Sequence, residues 1–576
     1  MKYSAIVQSI KRSKNIANLL TDLKSVKIPY GALVANLASS WVDKYPEAVA
    51  KLPFMFGSGS LWAAQDLKGA IGLFNAEELK YSKTGVLFGT GSVAGILNVG
   101  KIKRERNYNV LSGYSCFAGI VNTGKISQEG EFNFQVGIGG LLGVANLGVI
   151  KTEGTSVLIG LSKGAGIINA GSINLTEGAS GTIGAGLLRG ILNFGTFKTG
   201  DNADVVAGIS GGAGIVNGLA PDLAATNGIT SGSLASAVIS TGAGDDIVLG
   251  SGQYNVTRLL DSQTPDDFGT DIIDTKTGLS SILTSKLIDD LKLKVSIDLS
   301  LLRDRETYAG LLQDSAINIR DLLNAKSNEL VSNDAMYGII NNGFIDLGTG
   351  NDTLFGAGDD TTGDLARSSF PADLKYIGSG ILNSKTGTIL LGQGNDHLVG
   401  QTWASLAPAD PLSPSAGIVN FGTIDTGDGN DRIKGFLGIS AVPLYYDLIS
   451  LTNIGIINNG TITTGAGDDI VDALTGGFSG SGLTDLGEGN DTLIGFGTGT
   501  FNAGVGDIDK LLLGDGVYSI TKEGTVTTIM SSGVAMITTG FESISGSDGG
   551  DVIVLPGMGM SYKGSFAVQD GFGEIV

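Results

Sequence analysis

Six glycine-bounded phrases hold the residues of this sequence best suited to chemistry: "TGAGDDIVL" at 241–249, "LGTGNDTLF" at 347–355, "LGQGNDHLV" at 391–399, "TGDGNDRIK" at 426–434, "TGAGDDIVD" at 464–472 and "LGEGNDTLI" at 486–494. A shorter "GAGDD" at 356–360 follows one copy directly, and "SGSDGGDVIV" at 545–554 is a degraded one. Each full copy reads x-Gly-x-Gly-(Asn/Asp)-Asp-x-U-x, with U being Val, Leu or Ile. The glycines let the chain turn where other residues resist. The acids and the turned carbonyls are hard oxygen donors, the ligand set of multivalent cations. The same letters also make a sound turn with no metal at all.

The totals point the same way. Acids outnumber bases 57 to 37, giving a net charge of -20 and a pI near 4.5, which disfavours nucleic acid or an anionic membrane as partner. One histidine, His397, excludes a multi-His zinc site and makes any His-based catalysis depend on that residue. One cysteine, Cys116, leaves no intramolecular disulfide. The start "MKYSAIVQSIKRSKN" has no apolar run of signal-peptide length before its basic cluster. The most apolar run, 136–150, is short of the ~20 residues that cross a bilayer as a helix, so no transmembrane segment is expected.

In these phrases the chain resembles the RTX, or hemolysin-type, calcium-binding family, whose nonapeptide is GGxGxDxUx. The second and fourth glycines, the sixth-place Asp and the eighth-place apolar residue are present, whereas Thr or Leu replaces the first Gly. The resemblance implies calcium held between loops of successive coils. It makes Asp246, Asp352, Asp396, Asp431, Asp469 and Asp491 the expected ligands, with Asp360 and Asp551 as weaker candidates. It also implies type I export, to which the closing "DGFGEIV" is similar. Family arrays are tandem nonapeptides, whereas most loops here are separated by other strands. One ion-binding edge on a larger solenoid is therefore expected.

A second repeat supplies the frame for these loops. The phrase Gly-(Ile/Val)-(apolar or Ala)-Asn places Asn at 98, 122, 146, 169, 193 and 217, and again at 341, 383, 420 and 458. The early steps are 23 or 24 residues; the later ones are 42, 37 and 38. Each early repeat parses into three short apolar pieces, as in "SVLIG", "GAGIIN" and "GSINLT". That is one coil of a parallel β-solenoid, with coils stacked ~4.8 Å apart. The asparagines then form an amide ladder, and residues such as Ile168 and Ile173 point into the core. A β-sandwich has no reason to keep this register.

The expected class is mainly β: an elongated parallel β-solenoid (β-helix or β-roll) with an α-helical N-terminal cap and a mixed α/β insertion. Residues 1–83 form the helical cap or an assembly domain, since Ile16, Leu19 and Leu23, and then Leu33, Leu37 and Trp41, fall at helical spacing. Residues 84–251 form solenoid of ~24-residue coils, and 252–335 the insertion, where "LKLKVSIDLS" alternates as a strand. Residues 336–500 form an RTX-like calcium-binding solenoid, and 501–576 a β cap with the export signal.

The function expected is that of a secreted calcium-binding structural protein of the cell surface or extracellular matrix: an adhesin, surface-layer or fibre subunit, with no catalytic residues. Its expected partners are calcium ions, further copies in fibres or layers, and cell-surface polysaccharide. The alternative is a secreted polysaccharide lyase or epimerase on a β-helix. Its base and acid are not evident, because His397 occupies a variable loop position. Ice binding would need regular Thr-x-Thr files, of which Thr461 and Thr463 offer one pair.

Overall fold

The computed structural model describes residues 71–569 except 219–236, 253–336, 360–377, 404–415, 439–453 and 547–551. Shorter gaps fall at 76–77, 82–85, 92–93, 106–107, 116, 163, 187–188, 211, 507, 556–559 and 564–566. By internal contacts the chain divides into Gln253–Asn333 and the remainder; the former lies outside the described residues.

The described chain is a parallel β-solenoid. One coil runs through the Asn strand Ala165–Asn169, a second strand Ser172–Thr176 and a third strand Ser180–Gly186, after which Arg189–Asn193 opens the next coil. The Asn strands form a 12-stranded parallel sheet from Ile71–Asn75 to Phe478–Ser479. Its register keeps each Asn beside the next, as in Asn146, Asn169 and Asn193. The side chains form a continuous ladder: Asn146 Nδ2 donates to Asn169 Oδ1 at 2.8 Å, and Asn169 Nδ2 to Asn193 Oδ1 at 2.8 Å. Among the described residues the ladder runs from Asn75 to Asn458, whose Nδ2 donates to the Leu483 carbonyl at 2.8 Å.

The continuous core differs from expectation at one position. Ile173 lies in it with Ile102, Ile126 and Ile150, all 0% exposed, but the Asn strand contributes the residue two before each Asn, such as Ile167 or Ile191. Ile168 is equally buried but belongs to a separate cluster with Ala145, Leu142 and Phe194. Successive strand side chains leave opposite faces, so Ile167 takes the inner face and Ile168 the outer one.

Where the third strand meets the next Asn strand, two files of glycine face each other. A Cβ at Gly208 would sit 2.2 Å from the Gly214 carbonyl oxygen, and one at Gly214 would sit 2.1 Å from the Ser251 nitrogen. This corner is too thin for any side chain. The same corner accounts for the longer repeat steps. Segments 253–336, 360–377, 404–415 and 439–453 all leave between a third strand and the next Asn strand, where an earlier coil needs only the link from Ser162 to Ala165. The coil is otherwise unchanged, apart from segment 219–236, which lies between the Asn strand Ala213–Asn217 and the second strand Val238–Ser240, and Tyr337–Asn341 pairs in register with Ala213–Asn217.

The expected helical cap requires correction at its inner edge. Ile71–Asn75 and Glu78–Tyr81 are strands paired with Ala94–Asn98 and Lys101–Glu105, so the solenoid has begun by residue 71 rather than 84. "GLFN" at 72–75 is an Asn phrase with Leu in place of Ile or Val. The remainder of the proposed cap, residues 1–70, lies outside the described residues, as does the proposed 252–335 insertion beyond Gly252. At the other end, parallel coiling continues past residue 501 to Lys510–Leu512. It then gives way to an antiparallel meander, Val517–Glu523, Val526–Ser531 and Val534–Thr539.

Candidate functional site: a buried aspartate file

The acidic phrases turn the corner between the second and third strands of successive coils. Their glycines adopt left-handed conformations, for example Gly348 at φ 98° and Gly350 at φ 140°. A Cβ on Gly348 would lie 1.6 Å from the Gly242 carbonyl oxygen of the coil before, so glycine is needed for stacking as well as for φ. The loops pair directly as main chain: Thr349 N–H donates to Gly242 O at 3.0 Å, and Gly244 N–H to Thr349 O at 2.7 Å.

Each loop is then tied to both neighbours by adjacent side chains. At the fifth place, the exposed side chain accepts from the following coil: Asn351 N–H donates to Asp245 Oδ1 at 2.8 Å, and Asn395 N–H to Asn351 Oδ1 at 2.9 Å. At the sixth place, the buried aspartate accepts from the preceding coil. Asp246 N–H donates to Asp352 Oδ1 at 2.8 Å, Asp352 N–H to Asp396 Oδ1 at 2.7 Å, and Asp396 N–H to Asp431 Oδ1 at 2.8 Å. The series runs on through Asp469 and Asp491 at 2.7 and 2.8 Å. All six aspartates are 0% exposed, as are the eighth-place residues Val248, Leu354, Leu398, Ile433, Val471 and Leu493. Asp360 and Asp551 lie outside the described residues.

Three members of the file were not anticipated. Asp204 precedes Asp246, donating its N–H to Asp246 Oδ1 at 2.7 Å. Its loop, "TGDNAD" at 199–204, shares Thr-Gly and the sixth-place Asp but lacks the second Gly. Asp509 follows Asp491, accepting its N–H at 2.8 Å, from a loop one residue longer. Glu542 Oε2 accepts the Asp509 N–H at 2.7 Å and ends the series, and nothing in its sequence context signals that role. Before Asp204 the same register position holds Ser180, Ser156, Asn133 and Asn109, so one buried file changes from neutral to acidic along the molecule.

The first-place residue explains the departure from a leading Gly. Leu347, Leu391 and Leu486, and likewise Thr241, Thr426 and Thr464, are 0% exposed, so this position belongs to the core rather than to the turn.

The second carboxylate oxygen of the file is the unusual feature. Oδ2 of Asp246, Asp352, Asp396, Asp431, Asp469, Asp491 and Asp509 is buried without a hydrogen-bond partner. Burial, aided by the neighbouring acids, pushes these carboxyls up: Asp246, Asp396, Asp469 and Asp491 to about 7, Asp352 to about 8, Asp431 to about 6. An uncompensated buried charge is costly and calls for a proton or a cation. The donor set suits a hard cation. Among the described residues no three acids or histidines gather tightly enough to hold an ion alone, so calcium here would draw most of its ligands from main-chain and hydroxyl oxygens. The coil-to-coil link through each aspartate is already made by main-chain N–H, which leaves Oδ2 for the ion.

His397 stands on the third strand, in register between Thr353 and Arg432, and burial, then the Arg432 charge, lower its pKa to about 4. Among the described residues, no helix is long and apolar enough to cross a membrane. No protein-family model, no curated protein and no solved structure matches the chain.

Proposed function

We propose that the chain is a secreted, calcium-binding structural protein of the cell surface or extracellular matrix, a β-solenoid stabilised by ions along its aspartate file. The observation that carries this reading is the row of seven buried, unpartnered Oδ2 atoms, one per coil. In a calcium-poor compartment those carboxylates repel one another and burial opposes their charge. Where calcium is plentiful, ions bind the stacked loops but not the unfolded chain, and stabilise the fold by mass action. Asp246, Asp352, Asp396, Asp431, Asp469 and Asp491 would hold the ions, with Asp509 at the end of the row. The ions would supply charge neutralisation and rigidity rather than catalysis. A scaffold of stacked coils suits an adhesin, layer or fibre subunit, and the RTX-like phrases agree with export in an unfolded state.

The deciding experiment adds calcium to chelator-treated full-length protein at neutral pH and follows circular dichroism and the melting temperature. The melting temperature should rise steeply and saturate at several ions per chain. Identical melts in chelator and in millimolar calcium would end the calcium reading.

A further inference from the structure

Resting on the calcium reading, we propose that the first-place residue of each loop sets its ion affinity, so that loops walled by Thr241, Thr426 and Thr464 bind calcium more tightly than those walled by Leu347, Leu391 and Leu486.

The argument starts from where the hydroxyl protons go. Thr241 Oγ1 donates to the Leu347 carbonyl of the next coil at 2.9 Å, and Thr426 Oγ1 to the Thr464 carbonyl at 3.1 Å; Thr464 Oγ1 donates likewise to the Leu486 carbonyl. Each of these hydroxyls also lies within hydrogen-bonding reach of the aspartate of its own loop, and its one proton can serve the carbonyl or the carboxylate but not both; given to the carbonyl, it leaves only lone pairs facing the aspartate. That loop also holds the orphaned Oδ2 of Asp246, Asp431 or Asp469. Two buried oxygens without a proton between them repel unless a cation joins them. Calcium gathers six to eight oxygens, and affinity follows their number and charge. In the other three loops the first place holds an apolar side chain, 0% exposed, which offers an ion no oxygen.

Asp204 supplies an internal control. Its loop also begins with a threonine, Thr199, whose Oγ1 donates to the Thr241 carbonyl at 3.0 Å. Here, however, Oδ2 already accepts the Gly200 N–H at 3.0 Å. This carboxylate has no open oxygen, so the Thr199 loop should take no ion.

The test is calorimetric calcium titration of the full chain, with the melting temperature followed alongside. In T241V/T426V/T464V, about three ions should move from the tight to the weak class, with affinity falling by roughly tenfold or more for each lost ligand. L347T should gain one tight ion, and T199V should titrate like the parent. L347T keeps the proposal open to failure if the triple variant does not fold. Two binding classes that both variants leave unchanged would overturn the proposal while sparing the calcium reading. A parent protein that binds no calcium would overturn both.

Discussion

The behaviour of the aspartate file comes down to two oxygens of one side chain. Oδ1 is satisfied by the preceding coil and would serve as well on an amide, as it does at Asn133, whose Oδ1 accepts from Asn109 Nδ2 of the coil before at 2.9 Å. Oδ2 makes the difference, because it carries charge into a place with no donor. In the metal-free protein the carboxyls of Asp246, Asp352, Asp396, Asp431, Asp469 and Asp491 are pushed up to about 6 to 8, against about 3.9 in the unfolded chain. Between those limits the native state binds more protons than the unfolded one, so stability falls as pH rises from about 4 through about 8 and is flat above. In chelator the melting temperature should therefore climb as pH is lowered from 8 to 5, and with saturating calcium that climb should shrink or reverse. Asp396→Asn removes one such group. It should gain about 1–3 kcal/mol in chelator at pH 8, flatten the pH slope by one group's share and bind one ion fewer. Thermal melts across pH, with and without chelator, measure all three; a flat profile in chelator would refute the charge argument.

At the scale of strands and loops, the Asn ladder and the acidic loops divide the labour of stacking. Asn169 is 0% exposed and serves two neighbours, accepting from Asn146 and donating to Asn193 and to the Thr196 carbonyl. Asn169→Ala leaves a buried donor and a buried acceptor without partners and should cost about 2–5 kcal/mol, whereas Asn75→Ala at the ladder's start should cost less. Denaturant midpoints of the two variants compare them directly. This part of the fold was legible because asparagine repeats at a fixed spacing and its amide has one obvious partner. The inner file was misassigned by one residue, since Ile167 and Ile168 are both isoleucine and only the strand's alternation separates them. The aspartate file was legible wherever two glycines and an Asp two places after the second flagged the loop. It was missed at Asp204, where Asn202 stands for the second glycine, at Asp509, where the loop is a residue longer, and at Glu542, which reaches the file from outside any phrase. The facing glycine files also went unread, because a glycine that clears space for a neighbouring main chain looks in sequence like one that makes a turn.

Along the described solenoid the two files stack coil on coil, and its two ends differ. Residues 1–200 hold 20 basic and 11 acidic side chains, and residues 201–576 hold 17 and 46, so charge changes sign close to Asp204. Coils of such a solenoid contact only their neighbours, and an open end offers unpaired strands to another chain. The C-terminal meander covers that end: Val534–Thr539 pairs with Thr500–Asn502, Ser543–Ser545 pairs with Lys510–Leu512, and Glu542 takes the last aspartate's N–H. Deleting residues 517–576 would uncover both strands together with the apolar interior between them, where Phe501 and Leu511 lie buried. The truncated chain should keep its parallel coils yet associate in a concentration-dependent way, with light scattering showing growth that the full chain lacks under the same conditions. Glu542→Gln, which leaves the meander in place, should not associate. A truncated chain that stays at the full chain's association state would mean that the meander is not what keeps this end from pairing.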